Sequence, residues 1–152
     1  MRRSAFWLAV AAVWAVTLVE MTGANPIAQQ GGKQQGGKKS DGWTIPDGAD
    51  DEKNPLTVND AVLAGGKKIF GSKCQKCHGP LGKGDGPDAD KKHLDHMNLT
   101  NPANAHHNPD GVVFYKIWNG RSSPKMPRFS EELSRDQAWA AVAYVQTLRG
   151  KK

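Results

Sequence analysis

The two cysteines of this chain lie three positions apart, and a histidine follows the second directly: Cys74-Gln75-Lys76-Cys77-His78. No other feature constrains the fold as much. Cys-x-x-Cys-His is the attachment signal for a c-type haem. Two thiols one helical turn apart reach the two vinyl groups on one porphyrin edge, and the imidazole that follows then faces the iron. A thioredoxin-like pair needs a βαβ setting, and no strands flank the motif. A plain disulfide leaves His78 unexplained. Zinc is the nearest rival, because His93 and His96 follow the cysteines. Their gap of two is shorter than the three to five of Cys2His2 sites, and Gly82, Gly84, Gly86 and Pro87 interrupt the helix a finger requires. The motif therefore predicts one covalently bound haem c, with Cys74 and Cys77 as thioethers and His78 as the proximal iron ligand.

A haem so attached calls for export, and the N-terminus has the pattern for it. Arg2 and Arg3 precede an apolar run from Ala5 to Val19, broken only by Thr17. A basic start followed by about 15 apolar residues is the pattern of a secretory signal. Ala24 and Ala28 are candidate cleavage points, so residues 1–28 read as a signal peptide. The alternative is an uncleaved anchor tethering the protein through residues 5–19, although a spanning helix wants roughly 20 apolar residues. Either way the remainder is expected in the periplasm or on the outer face of the cytoplasmic membrane.

Residues 29–54 read as a linker: Gln29 to Gly42 is rich in Gly, Gln and Lys, and Gly48 to Asn54 is acidic. Such a composition has little to bury. Trp43 and Ile45 are the residues that could tack it onto the domain. The folded unit is expected over 55–152, roughly 95 residues, a size at which the core is marginal without something to fill it.

Three helices are predicted. The first runs from Val58 to Cys74, capped by Asn59 or Thr57. The second runs from Pro109 to Trp118, with Asn108 as N-cap and Pro109 at the first helical position. The third runs from Arg135 to Arg149 behind a Ser134-x-x-Gln137 capping box, with Ala138, Ala141, Val145 and Leu148 as its apolar stripe. No strand pair is expected, so the fold class is all-α with long loops.

Gly66-Lys67-Lys68-Ile69-Phe70-x-x-Lys73 leading into the haem motif resembles the N-terminal helix of class I monohaem cytochromes c. The similarity continues through Gly79-x-x-Gly82-x-Gly84-Asp85-Gly86-Pro87, Asp110-Gly111, Gly120-Arg121 and Met126-Pro127-x-Phe129 to a last helix carrying Trp139 and Tyr144. The resemblance covers roughly residues 56–150. It implies the small cytochrome c fold, helices and long loops wrapped around one haem, with the first and last helices crossing closely. Gly66 then admits the last helix, and Phe70 packs on Tyr144 or Val145.

The resemblance also places the distal iron ligand at Met126, which Pro127 biases towards extended backbone. Met97, His93, His96, His106 and His107 are the competitors; Met97 reads as a packing residue, and the four histidines as surface groups. Pro80 or Pro87 is expected to offer a carbonyl to the outer nitrogen of His78.

With Lys and Arg at 21 against 15 Asp and Glu, the net charge is +6. Lys73, Lys76, Lys83, Lys91, Lys92, Lys116, Arg121, Lys125 and Arg128 bracket the motif and the Met126 loop. They suit steering onto an acidic redox partner. Nucleic acid is a poor fit, because Asp85, Asp88, Asp90 and Asp95 interrupt the basic stretch. No nucleophile elbow, paired carboxylates or phosphate loop is recognisable. The expectation is a single-electron carrier with His/Met ligation, serving redox proteins of a respiratory chain, rather than an enzyme. The alternatives are a haem-bearing subunit of a membrane oxidase or dehydrogenase complex, and a ligand-binding haem sensor.

Overall fold

The computed structural model describes residues 38–40 and 42–149. The apolar segment 5–19, both candidate cleavage points, most of the Gln29–Gly42 stretch and residues 150–152 lie outside that range. Among the described residues no helix is long and apolar enough to cross a membrane.

The structure begins with a feature the sequence reading did not expect. Strands β1 (Lys38–Ser40) and β2 (Trp43–Ile45) pair antiparallel, with Ser40 opposite Trp43 and Lys38 opposite Ile45. The connection is Asp41-Gly42, a strong two-residue hairpin signal, and Gly42 takes the required positive φ of 78°. A two-stranded hairpin is marginal alone. This one buries Trp43 and Ile45 with Ala49 against Val112. Trp43 and Ile45 thus tack this segment onto the domain, while the acidic turn after them is exposed apart from Ala49 and the half-buried Asn54. The backbone N–H of Gly111 donates to the Glu52 carbonyl at 3.1 Å, and the Asn54 amide donates to the Trp139 carbonyl at 3.0 Å. Gly111 permits this approach, since a Cβ there would fall 2.2 Å from the Ala49 carbonyl oxygen.

Helix α1 (Asp60–Ile69) starts at the Asn59 cap, whose side chain accepts from the Val62 N–H at 3.0 Å. It does not continue unbroken to Cys74. A π-helical turn over Phe70–Cys74 comes next, followed by the short α2 (Gln75–His78) that carries the rest of the motif. Such wide turns inside helices are frequent at functional sites. Two further single turns, α3 (Leu94–Met97) and α4 (Pro102–Ala105), lie within the long loop between the first and second predicted helices.

Helix α5 (Asp110–Asn119) begins one residue later than expected, with Pro109 itself at the cap position. The Asn108 side chain is engaged elsewhere: its amide donates to the Asn104 carbonyl at 2.7 Å, and its oxygen accepts from Lys116 at 2.6 Å. Helix α6 (Arg135–Leu148) follows the capping box, with both reciprocal Ser134–Gln137 bonds formed. It buries Ala138, Trp139, Ala141, Val142 and Val145 against Phe70, Val113, Phe114, Ile117 and Phe129. Trp139 stacks on Phe114 at 4.2 Å between centroids.

Helices α1 and α6 cross at Gly66. A Cβ there would sit 2.0 Å from the Ala140 carbonyl oxygen and 2.9 Å from the Tyr144 Cβ. One turn on, the Phe70 ring meets Tyr144 at 5.4 Å. The fold is all-α in its body, with the hairpin as an N-terminal addition.

Candidate haem site

The π-turn and α2 bring Cys74, Cys77 and His78 to one wall of an open cleft of about 1340 Å³, its mouth included. Phe70, Leu99, Val113, Ile117, Phe129 and Val145 form apolar walls, and Met126, Met97 and Trp43 also line it. The loop after the motif folds back onto α2. Gly84 N–H donates to the His78 carbonyl and Asp88 N–H to the Lys76 carbonyl, each at 2.8 Å. Gly86 lies against that same Lys76 carbonyl, where a Cβ would come within 2.2 Å.

Neither cysteine is in a disulfide, and both are half-buried. Burial, reinforced by the neighbouring Cys77, pushes the Cys74 thiol up to about 12, so it stays protonated at neutral pH. The outer nitrogen of His78, Nδ1, donates to the Met97 carbonyl at 2.7 Å. A carbonyl only accepts, so the proton sits on Nδ1 and Nε2 is left with its lone pair. Burial holds the imidazole below its ordinary value, with Arg121 acting in the same sense and the Met97 bond opposing. A neutral imidazole with a free Nε2 is what iron ligation needs.

The His78 bond corrects the expectation that Pro80 or Pro87 would supply that carbonyl. Both prolines are exposed. Instead the segment after α3 returns beside the Gly82–Gly84 turn: Leu99 N–H donates to the Gly82 carbonyl at 2.7 Å, and Lys83 bridges Asn98. Gly84 has a φ of 80° and no side chain, which lets the Met97 backbone approach.

Met126 is held by a small closed loop. Its N–H and carbonyl both bond to Arg121, at 2.9 and 2.8 Å, across a cis Ser123–Pro124 peptide. The Arg121 Nε adds a bond to the Pro124 carbonyl at 2.8 Å. Gly120, at φ 60°, starts the loop, and a Cβ on it would meet the Arg128 N–H and the Met126 carbonyl.

A model of the family described as Cytochrome c matches residues 63–149. The chain belongs to the cytochrome c family. Members of that family transfer electrons through covalently bound haem c, and the helices and loops of this chain form the class I cytochrome c fold. Among solved structures, similarity extends to a chain of the Kuenenia stuttgartiensis reducing HAO-like protein complex Kustc0457/Kustc0458, with 29% identity and a TM-score of 0.50. That match covers 64% of this chain and 49% of the other, so the cytochrome spans about half of that chain's length. Cytochrome CL from the marine methylotroph Methylophaga aminisulfidivorans is 25% identical at a TM-score of 0.46, covering 62% of this chain and 60% of that one. The KustC0563 c-type cytochrome is 22% identical at 0.46, covering 55% and 96%. No curated protein matches the sequence.

The residues of the cytochrome's cleft fit a haem in their chemistry: two free thiols, one neutral imidazole with its outer nitrogen tied, a thioether and apolar walls. Sequence reasoning missed the part that three residues play around it. Trp43 lines the cleft from the N-terminal hairpin; the Asp41-Gly42 turn was the signal that could have found it. Arg149 donates to the Asn108 carbonyl at 2.7 Å and the Leu99 carbonyl at 3.2 Å, clamping two cleft loops to α6. Burial lowers its pKa, opposed by Asp110. His96, expected on the surface, lines the cleft as a half-buried group, whereas His106 and His107 are exposed.

The basic residues are placed unevenly. Lys73, Lys76, Lys116, Arg121 and Lys125 line the cleft. Lys73 is paired with Glu132 and Lys116 with Asn108, while Arg128 reaches Glu131 at 3.4 Å outside the cleft.

Proposed function

We propose that this cytochrome is an exported single-electron carrier holding one haem c through Cys74 and Cys77, with His78 and Met126 as axial ligands. The observation that carries the reading is the convergence of these four side chains on one apolar cleft. The neutral Cys74 thiol and its Cys77 partner supply S–H groups to add across two vinyl C=C bonds, sulfur to one carbon and hydrogen to the other. When bound, the haem supplies a one-electron iron couple. His78 is oriented by Met97, and the Arg121–Met126 pairing fixes the distal loop.

Met97 is the weaker candidate for the distal ligand on geometric grounds. Its backbone carbonyl receives the outer nitrogen of His78, which puts the Met97 backbone behind that ring, whereas a second ligand would have to come from a group on the other side of a bound haem. Held by both His78 and Met126, a bound haem would keep no open iron position, which would suit outer-sphere transfer. Lys76 and Lys125, exposed at the cleft, support docking on an acidic redox partner of a respiratory chain.

A pyridine-haemochrome spectrum and a haem-stained denaturing gel of the purified protein test the attachment. We expect one haem per chain that stays on the polypeptide; release of all haem into acid–acetone would overturn it. A second reading, a haem-bearing subunit of an oxidoreductase complex, draws on the similar chain in the HAO-like complex. Size-exclusion of native extract distinguishes the two: a lone carrier elutes near the monomer mass of 16.5 kDa, less any cleaved signal.

A further inference from the structure

The N-terminal segment lies outside the family match at 63–149, yet it reaches the loop that carries Met126. It runs antiparallel along α5, a helix about 15 Å long. At the start of α5 it is tied down: the Glu52 carbonyl receives the Gly111 N–H, and Glu52 also reaches Arg135 at 3.8 Å. At the other end Trp43 is 6% exposed, and the Arg121 guanidinium lies over its ring at 4.6 Å. Lys116 approaches the same ring at 5.4 Å. Gly42 sits close to Ser123 in the loop, so that a Cβ would be 3.4 Å from its carbonyl. Met126 packs against the cluster that Trp43, Ile45, Ala49 and Val112 form.

We propose that residues 42–54 are a strap that holds the Met126 loop closed over the cleft, with Trp43 positioning Met126 through Arg121. This rests on the reading of Met126 as the distal ligand. Arg121 is the link: its backbone pairs with Met126 on both sides, and its side chain is stacked on Trp43. Opening the loop would have to break that pairing or lift the guanidinium from the indole. A stacked cation of this kind stabilises the closed loop, and the buried indole fills space beside Met126 that water or an external ligand would otherwise enter. The strap therefore sets how often the sixth iron position opens, a property the core helices alone do not determine.

The test uses the full haem-loaded chain and compares the parent with Trp43→Ala, Trp43→Phe, Arg121→Gln and Met126→Ala. Two signals are read: the ferric methionine–iron band at the red end of the spectrum, and the rate of carbon monoxide binding to the ferrous form. Trp43→Ala and Arg121→Gln are expected to speed carbon monoxide binding about tenfold, equivalent to about 1.4 kcal/mol on the opening equilibrium. Trp43→Phe should restore most of the parent behaviour. Arg121→Gln keeps the backbone pairing and the indole but also loses the Nε bond to the Pro124 carbonyl, so Trp43→Leu, which removes the stacked ring alone, is measured beside it and must show the same gain. Parent-like rates in Arg121→Gln, alongside a band that Met126→Ala abolishes, overturn the strap while leaving the ligand assignment standing. A band that survives in Met126→Ala overturns the ligand assignment, and the strap with it.

Discussion

The backbone carbonyl of Met97 accepts a hydrogen bond from Nδ1 of His78 at 2.7 Å, nineteen residues further along the chain. Donation from the outer nitrogen raises the basicity of a metal-bound imidazole, and a more basic ligand favours the ferric state. Gly84 keeps this bond in place, because a Cβ there would fall 2.9 Å from Asn98 N and 3.0 Å from the Met97 carbonyl carbon. Gly84→Ala should displace the Met97 carbonyl and raise the reduction potential. It should also cost about 1–3 kcal/mol of stability through crowding. A redox titration of the loaded variant checks this; an unchanged potential would show that the bond does not tune the iron.

The helix crossing gives a paired test in adjacent residues. Gly66→Ala puts a methyl into the Ala140 carbonyl and should destabilise by about 1–3 kcal/mol. Gly65 lies on the same helix with nothing within 4 Å of a Cβ. Gly65→Ala should therefore stabilise, by up to about 1 kcal/mol, as Ala replaces Gly in a helix interior. Denaturant melts of the two variants should move in opposite directions. Equal losses in both would mean that the close approach at Gly66 is not what the residue provides.

Much of this architecture was legible in the sequence, and the parts that were not share a cause. The Ser134-x-x-Gln137 box is a local signal and marks the start of α6 correctly. The crossing at Gly66, with Phe70 packing one turn on, was legible through the resemblance to class I cytochromes c, and the helices do meet there. The hairpin escaped because three residues on either side of Asp41-Gly42 are too few to show alternation, and its stability comes from Val112, far along the chain. Asn108 reads as a helix cap by residue type, yet Lys116 and the Asn104 carbonyl occupy its side chain. The Met97 carbonyl had no signature at all, since every residue carries one and only the fold decides which reaches His78.

Arg149 offers a prediction that sequence reasoning would not have made. It bonds the carbonyls of Leu99 and Asn108 and the Gln146 side chain. Hydrogen bonds from a charged donor are worth about 1.5–3 kcal/mol, and truncation leaves the Leu99 carbonyl short of a partner, while the Asn108 carbonyl keeps the Gln146 amide at 3.3 Å. Arg149→Ala should therefore lower the unfolding free energy by roughly 2 kcal/mol. A urea titration that shows less than a few tenths of this would place the clamp among the inert surface contacts.

The haem-free chain should not hold this fold. Phe70, Val113, Ile117, Phe129 and Val145 belong to the main core cluster and also line the cleft, so without the porphyrin that core would border an unfilled cleft. A chain this short has little further core to offset the loss. Cys74→Ala combined with Cys77→Ala, expressed without haem, should give no cooperative thermal transition. A sharp transition with native-like helix content would contradict the view that the haem completes the core.

The most direct test of the account is ferrous carbon monoxide binding to the loaded protein, read beside the ferric methionine–iron band in the parent, Met126→Ala and Met97→Ala. We predict that the parent shows the band and resists the gas. Met126→Ala should lose the band and bind carbon monoxide readily, while Met97→Ala should retain the band and lose only stability, by about 2–5 kcal/mol for a buried methionine. The reverse pattern, with Met97→Ala opening the iron, would contradict the ligand assignment. A parent that already binds carbon monoxide tightly would contradict the electron-carrier reading itself.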